Sequence, residues 1–309
     1  MIGQLTPLYL GDLERRNYSP RTLENQAYGL GHLGRFLKIR AIGDVAGVSE
    51  SVLIEFQKWL FYQPTPQGQA RSFANQNRIL AVVKGFFKFL KREGHIPRDP
   101  AEPLEYAREQ RHLPRDILTP REAKRIIEAV DISTANGYRD RTVLEVFYST
   151  GIRVAELIAL RLTNVNLEDE ILRINNGKGG RDRVVPLSQM ACKHLENYIN
   201  GIRPCCVIGK NTDRLFVSWR GKPLDRSTLN LMMKRHARKA GVKKHLTCHI
   251  WRHSCATHLL KNNANLRHVQ EILGHKSLAT TELYLRVTIS DLKEAHRKYH
   301  PRENGKKAR

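Results

Sequence analysis

The sequence predicts a mainly α-helical protein with a small β-sheet, arranged as an N-terminal helical bundle followed by a C-terminal mixed α/β domain. Three observations predict this. Apolar residues recur at helical intervals through the first hundred residues, a proline-rich charged stretch then breaks that pattern, and beyond it two short strand-like segments flank a glycine-rich turn. A chain of 309 residues, 40% of them hydrophobic, has enough apolar surface for two cores.

Taken in order, LTPLYLGDLERR, TLENQAYGLGHLGRFLK, SVLIEFQKWLFYQ and QNRILAVVKGFFKFLKREG each read as a helix with one apolar side. Ser19-Pro20 marks a helix start, and Gly43-Asp44, the Pro64/Pro66/Gly68 loop and Gly94 mark ends. Pro97, Pro100, Pro103, Pro114 and Pro120, set among charges, resist a continuous helix and suit an extended connector. The expected domains are therefore residues 1–103, a linker over 104–115, and residues 116–309. Thr119 and Pro120 read as a cap and first helical residue. ILRINNGKGGRDRVVPL, residues 171–187, reads as two strands around a turn, and helices resume from Ser227. The last residues, NGKKAR, read as a basic tail.

Lys and Arg number 53 against 30 Asp and Glu, a net charge of +23, which points to a polyanionic partner. The excess is uneven: 15 basic against 11 acidic residues up to residue 110, and 38 against 19 beyond it. The second domain therefore carries most of the attraction for a phosphate backbone. Five cysteines, Cys192, Cys205, Cys206, Cys248 and Cys255, are too few and too odd for a disulfide framework and read as reduced thiols. No apolar run is long enough to span a bilayer, and the N-terminus lacks a signal-peptide core, so the expectation is a cytoplasmic protein with no membrane partner.

Four segments hold residues suited to phosphate chemistry. In YSTGIRVAELIAL, Arg153 follows a glycine turn and opens a helix, from which its guanidinium fork could face a phosphate. In NGKGGRD, Lys178 sits among glycines that let a ligand approach, without the GxxxxGK[ST] pattern of a phosphate-binding loop. In LTCHIWRHSCATHLL, His249 and Arg252 are three residues apart, on one side of a helix. His253, His258, Cys248 and Cys255 lie nearby but lack zinc-ligand spacing, so no metal is expected and the cysteines read as buried. In NLRHVQEILGHKSLATTELYLRV, a helix with Leu266, Val269, Ile272 and Leu273 on its apolar side ends at Gly274; His275 follows, and Tyr284 lies nine residues on.

In order and spacing, STGIRVAEL, GKGGRDRVVPL, HIWRHSCATHLL and LGHKSLATTELYLRV resemble the motifs of the tyrosine recombinase or phage-integrase family, most nearly its Xer and simple integrase branch. The resemblance runs from about residue 116 to 299 and extends less specifically into the N-terminal bundle. It implies a core-DNA-binding bundle and a tyrosine-recombinase catalytic domain. It places Arg153, Lys178, His249, Arg252, His275 and Tyr284 at the catalytic positions, with Glu156 supporting Arg153. Trp251 departs from the smaller apolar residue common at its position. The implied reaction is site-specific DNA cleavage and rejoining through a 3′-phosphotyrosyl intermediate and a Holliday junction, with no cofactor.

The same resemblance implies double-stranded DNA carrying paired recombination sites as partner, a homotetramer in the synaptic complex and a monomer as a possible free state. The segment after Ser290 resembles a terminal helix that docks on a neighbouring protomer. Candidate DNA contacts are Arg21, Thr22, Asn75, Gln76 and Arg78 in the bundle, and Lys234, Arg235, Arg238 and Lys239 in the catalytic domain. A type IB topoisomerase and a DNA-binding accessory protein without catalysis are the competing readings. Integration, excision, transposition and dimer resolution share one chemistry and stay open.

Overall fold

The computed structural model describes residues 2–65, 68–108, 117–177, 181–262 and 264–274, without the side chains of residues 176, 177 and 181. Lys178, His275, Tyr284, the proposed docking segment and the basic tail lie outside the described residues. The chain divides into two compact units, Met1–Arg111 and His112–Arg309.

The first unit contains α1 (Ile2–Arg15), α2 (Pro20–Ile39), α3 (Glu50–Tyr62) and α4 (Phe73–Arg92). Ser19, Ser49 and Ser72 each accept a hydrogen bond from the backbone N–H three residues on, satisfying donors that a helix start leaves open. Leu33, Leu53, Phe56, Leu60, Val83, Phe86, Phe87 and Leu90 are completely buried at the centre. Each such side chain contributes roughly 1.5–3 kcal/mol through removal from water. The helices α2 and α4 pack tightly at Gly29, where a Cβ would stand 2.8 Å from Val82.

The start of the proline-rich stretch is fastened to this unit. Asn77 imitates a strand partner: its amide donates to the Ala107 carbonyl at 2.8 Å and its carbonyl accepts from the Ala107 N–H at 3.0 Å. Lys84 donates to the carbonyls of Glu102 and Leu104, and Leu104 is buried in the bundle core. A charged, proline-rich composition signals extended backbone, but it does not show that side chains elsewhere will hold that backbone down.

The second unit runs α5 (Pro120–Glu128), α6 (Ala135–Thr150), α7 (Val154–Ala159), β1 (Val165–Asn166), β2 (Ile171–Gly177), β3 (Arg181–Pro186) and α8 (Gln189–Asn197). A wider turn over Tyr198–Ile202 leads into α9 (Arg203–Cys206), followed by α10 (Arg226–Lys239), α11 (Cys248–Lys261) and α12 (Leu266–Leu273). Thr119 and Glu122 form a reciprocal capping box at α5. The antiparallel sheet has the order β1-β2-β3, with Leu172 opposite Val185 and Ile174 opposite Arg183. The short β1, absent from the sequence expectation, has only two residues and no alternation long enough to reveal it. Alternation in β3 puts Arg183 on the same side as the buried Val185 and Leu187, while Val184 faces out. In α11 every residue from Trp251 to His258 is buried, which makes it the central helix of this unit. Among the described residues, no helix is long and apolar enough to cross a membrane.

Candidate active site

The geometry begins with Gly151. It ends α6 in the left-handed conformation (φ 57°), and a Cβ there would meet Leu273 Cδ2 at 2.9 Å and Cys255 Sγ at 3.2 Å. This reversal buries Ile152 and leaves Arg153 at the N-cap of α7. The Glu156 carboxylate accepts from the Arg153 backbone N–H at 2.8 Å and from its Nη1 at 2.8 Å. Arg183 reaches the same carboxylate with both Nη atoms, at 2.9 and 2.7 Å. Burial alone would raise the Glu156 pKa, but the Arg183 hydrogen bonds, those from Arg153 and the positive charge of Arg183 bring it down to about 2. Glu156 is therefore a fixed anion that sets the direction of two guanidinium groups, the supporting role expected of it.

Arg252, 3% exposed, arrives from α11 and donates to the carbonyls of Gly151 at 2.8 Å and Leu273 at 2.6 Å. Arg153 donates to the carbonyl of Gly274 at 2.9 Å. Two arginines 99 positions apart in sequence thus meet at one helix terminus. The arrangement suits anion binding: the Arg153 side chain remains 27% exposed, with a second positive charge fixed behind it.

His249 lies one turn before Arg252, on the exposed edge of α11, and its Nε2 is 2.7 Å from that of His253. One proton bridges the two rings, so one imidazole donates and the other accepts. Partial burial, followed by the charges of Arg252, Arg226 and Arg153, holds the His249 pKa below the ordinary imidazole range. Burial pushes His253 down to about 4. Both rings are neutral near neutral pH. The neighbouring thiols are held protonated by burial, Cys248 at about 11 and Cys255 at about 12. Trp251 is completely buried and packs edge-on against Tyr148, so the larger side chain at this position fills core space.

Of the six catalytic residues read from sequence, Arg153, His249 and Arg252 are described and lie around one site; Lys178, His275 and Tyr284 lie outside the described residues. The hairpin strands that flank Lys178 and the helix that precedes His275 both border that site, since Arg183 of β3 donates through Nε to the Ile272 carbonyl at 3.0 Å. Arg183 was missed by sequence reasoning. The signal for Arg183 was available: a charged residue in phase with Val185 and Leu187 on the buried side of a strand.

The candidate DNA contacts divide by environment. Arg21 and Arg78 are exposed, and Arg21 pairs with Glu24 at 2.6 Å. Thr22 belongs to the α2 cap, where its hydroxyl meets that of Ser19. Asn75 accepts from Arg71, and Gln76 is buried with its amide on the Arg71 carbonyl. On α10, Lys234, Arg235, Arg238 and Lys239 are all exposed, and Arg235 is in addition tied to the fully buried Asp140 at 2.7 Å. Asp140 also binds Arg139 and His236, joining α6 to α10.

Known proteins of similar sequence and fold identify the family. Among curated proteins, the chain is similar to the tyrosine recombinase XerD of Staphylococcus aureus, 43% identical over 237 residues, covering 76% of this chain and 79% of the relative. It is also similar to XerD of Staphylococcus saprophyticus, 37% identical over 267 residues and covering 86% and 88%. Among solved structures, the XerA recombinase aligns over 97% of this chain and 99% of its own, with 28% identity and a TM-score of 0.54. The XerH site-specific recombinase bound to its difH substrate shares the fold, with a TM-score of 0.70, 24% identity and coverage of 96% and 84%. A model of the phage integrase N-terminal SAM-like domain matches residues 8–94, and the phage integrase family model matches residues 116–290. With more than half its length matched by that model, and with Xer relatives spanning most of it, the chain belongs to the phage integrase family of tyrosine recombinases.

Proposed function

We propose that this chain is a site-specific DNA recombinase in which Tyr284 attacks the scissile phosphate while Arg153 and Arg252 hold its nonbridging oxygens. The observation that carries this reading is the meeting of those two guanidinium groups at the end of α12, directly before His275 in sequence. Attack forms the bond from the tyrosine oxygen to phosphorus, and the bond from phosphorus to the 5′ oxygen breaks. Lys178 protonates the departing oxygen, while His249 and His275 donate hydrogen bonds or move protons. Negative charge builds on the nonbridging oxygens at the five-coordinate transition state, where preplaced positive groups are most effective. The phosphotyrosyl bond preserves the energy of the broken one, so rejoining needs no ATP.

The same reading places the linker within residues 104–115, after the Ala107 that Asn77 holds to the bundle, and takes double-stranded DNA as the partner, gripped by both units, with two protomers per site and four in synapsis. Its support is the net charge of +23 and the Xer relatives. Those relatives are named as recombinases, which favours strand exchange over a topoisomerase or an inactive accessory protein. The test is incubation with a DNA recombination site followed by denaturing electrophoresis. Wild-type protein is expected to form a protein–DNA adduct. Tyr284→Phe is expected to bind DNA in a band shift yet form none, and an adduct from that variant removes Tyr284 as nucleophile.

A further inference from the structure

Three consecutive carbonyls at the end of α12 are each taken by an arginine from a different element. Ile272 accepts from Arg183 of β3 at 3.0 Å, Leu273 from Arg252 of α11 at 2.6 Å, and Gly274 from Arg153 at the start of α7 at 2.9 Å. A helix C-terminus leaves carbonyls without intrahelical donors and carries the negative end of the helix dipole, so three guanidinium groups complement it in both hydrogen bonding and charge. The chain after this terminus leads to His275 and then Tyr284.

Arg183 is committed entirely to protein contacts. Its side chain is 13% exposed, and all three of its nitrogens are engaged: both Nη atoms on Glu156 and Nε on Ile272. It sits on the inner side of β3, opposite Ile174, five residues after Lys178. Gly274 makes room for it: in its left-handed conformation (φ 63°), an added Cβ would stand 3.0 to 3.1 Å from Nε, Cδ and Cζ of Arg183. Its fork is thus spent on protein, with Glu156 on one side and the α12 terminus on the other.

We infer that Arg183 is a positioning residue for strand cleavage: it locks the Glu156 carboxylate that aims Arg153, and it fixes the end of α12 relative to β3. One side chain thereby sets the register of the segments bearing Lys178, Arg153 and His275. The inference rests on the proposed role of Arg153 in holding the phosphate. Arg183 acts through Glu156 and the helix terminus, so its loss costs rate and leaves affinity for DNA intact.

The experiment measures the rate of covalent adduct formation at saturating protein, together with half-site affinity and thermal midpoint, for wild type, Arg183→Ala, Arg183→Lys and Arg153→Ala. Lysine keeps the charge and stem but cannot bridge Glu156 and Ile272 with a fork. Displacing reacting groups by about 1 Å costs on the order of 100-fold in rate. Arg183→Ala is expected to slow adduct formation on that scale with affinity within about 3-fold of wild type. Arg183→Lys is expected to fold and bind as wild type and still cleave roughly 10-fold slower. Wild-type cleavage by folded Arg183→Lys overturns the inference, as does a loss of cleavage in either variant that only tracks lost binding or lost folded protein. Arg153→Ala separates the two readings. If it cleaves normally, the role of Arg153 fails; if it is impaired while the Arg183 variants are not, only the positioning role of Arg183 fails.

Discussion

In the first unit the fully buried positions of α2, α3 and α4 are taken by Leu33, Leu53, Phe56, Val83 and Phe86, while the second unit buries Arg139, Asp140, Glu156, Arg252 and His253 beside its apolar core. The bundle is held chiefly by contacts that tolerate exchange of one apolar shape for another. The catalytic unit is held at its functional end by directional bonds between charges, where one missing partner leaves another buried and unpaired. Under the proposed function, the difference follows from what each must do. A bundle that presents a surface needs a stable shape, but a site that grips a phosphate needs guanidinium groups fixed in advance, and only buried carboxylates and carbonyls can fix them.

The sharpest way to break this comparison is a near-isosteric substitution in each unit. Asp140→Asn keeps shape but deprives Arg139, Arg235 and His236 of their anion, and is expected to cost about 3–5 kcal/mol in chemical denaturation. Phe86→Leu, at an equally buried position of α4, is expected to cost less, about 1.5 kcal/mol. Equal costs would show that both units rely on the same kind of packing.

Acid provides a second separation. His32 in the bundle and His253 in the catalytic unit both have pKa values lowered to about 4 by burial. Each is neutral when folded and takes up a proton more readily when unfolded, so both units lose stability as pH falls from about 6.5 towards 4. Glu156 acts in a lower window. Its folded pKa of about 2 stabilises the native state above the ordinary carboxylate value, and that stabilisation is lost as pH falls from about 4.5 to 2. Hydrogen exchange against pH is therefore expected to show the catalytic unit still losing protection below pH 4.5, with that loss reduced in Glu156→Gln and the remainder coming from carboxylates such as Asp140 and Glu122, whose pKa values are also lowered. The smallest effect concerns the surface: Arg21→Ala breaks only an exposed pair with Glu24 and should leave the thermal midpoint unmoved. Band shifts with Arg21→Ala are expected to show weaker binding and a shallower salt dependence if this arginine meets a phosphate.

What was legible in the sequence was local. Ser19-Pro20, Thr119-Pro120 and Gly274 marked helix ends because capping and left-handed turns depend on single residue types at fixed offsets. Arg153, His249 and Arg252 were legible as a set only through the family motifs, since the distances that unite them come from the packing of α6, α11 and α12. Arg235 shows the opposite limit. In MKRHARK it is indistinguishable from its neighbours, and its tie to Asp140, 95 positions earlier, belongs to the tertiary fold. Gln76 reads as a helix-surface amide beside Asn75, yet it is buried with its amide donating to the Arg71 carbonyl before the helix.

The reciprocal pairing of Asn77 with Ala107 bears on how the bundle can be isolated as a fragment. A cut placed at the prolines, near residue 100, would follow the sequence but would remove the backbone that Asn77 and Lys84 hold and uncover the apolar surface beneath Leu104. The natural end of the bundle as a physical object is Ala107 or later, and a piece carried that far keeps its own edge closed.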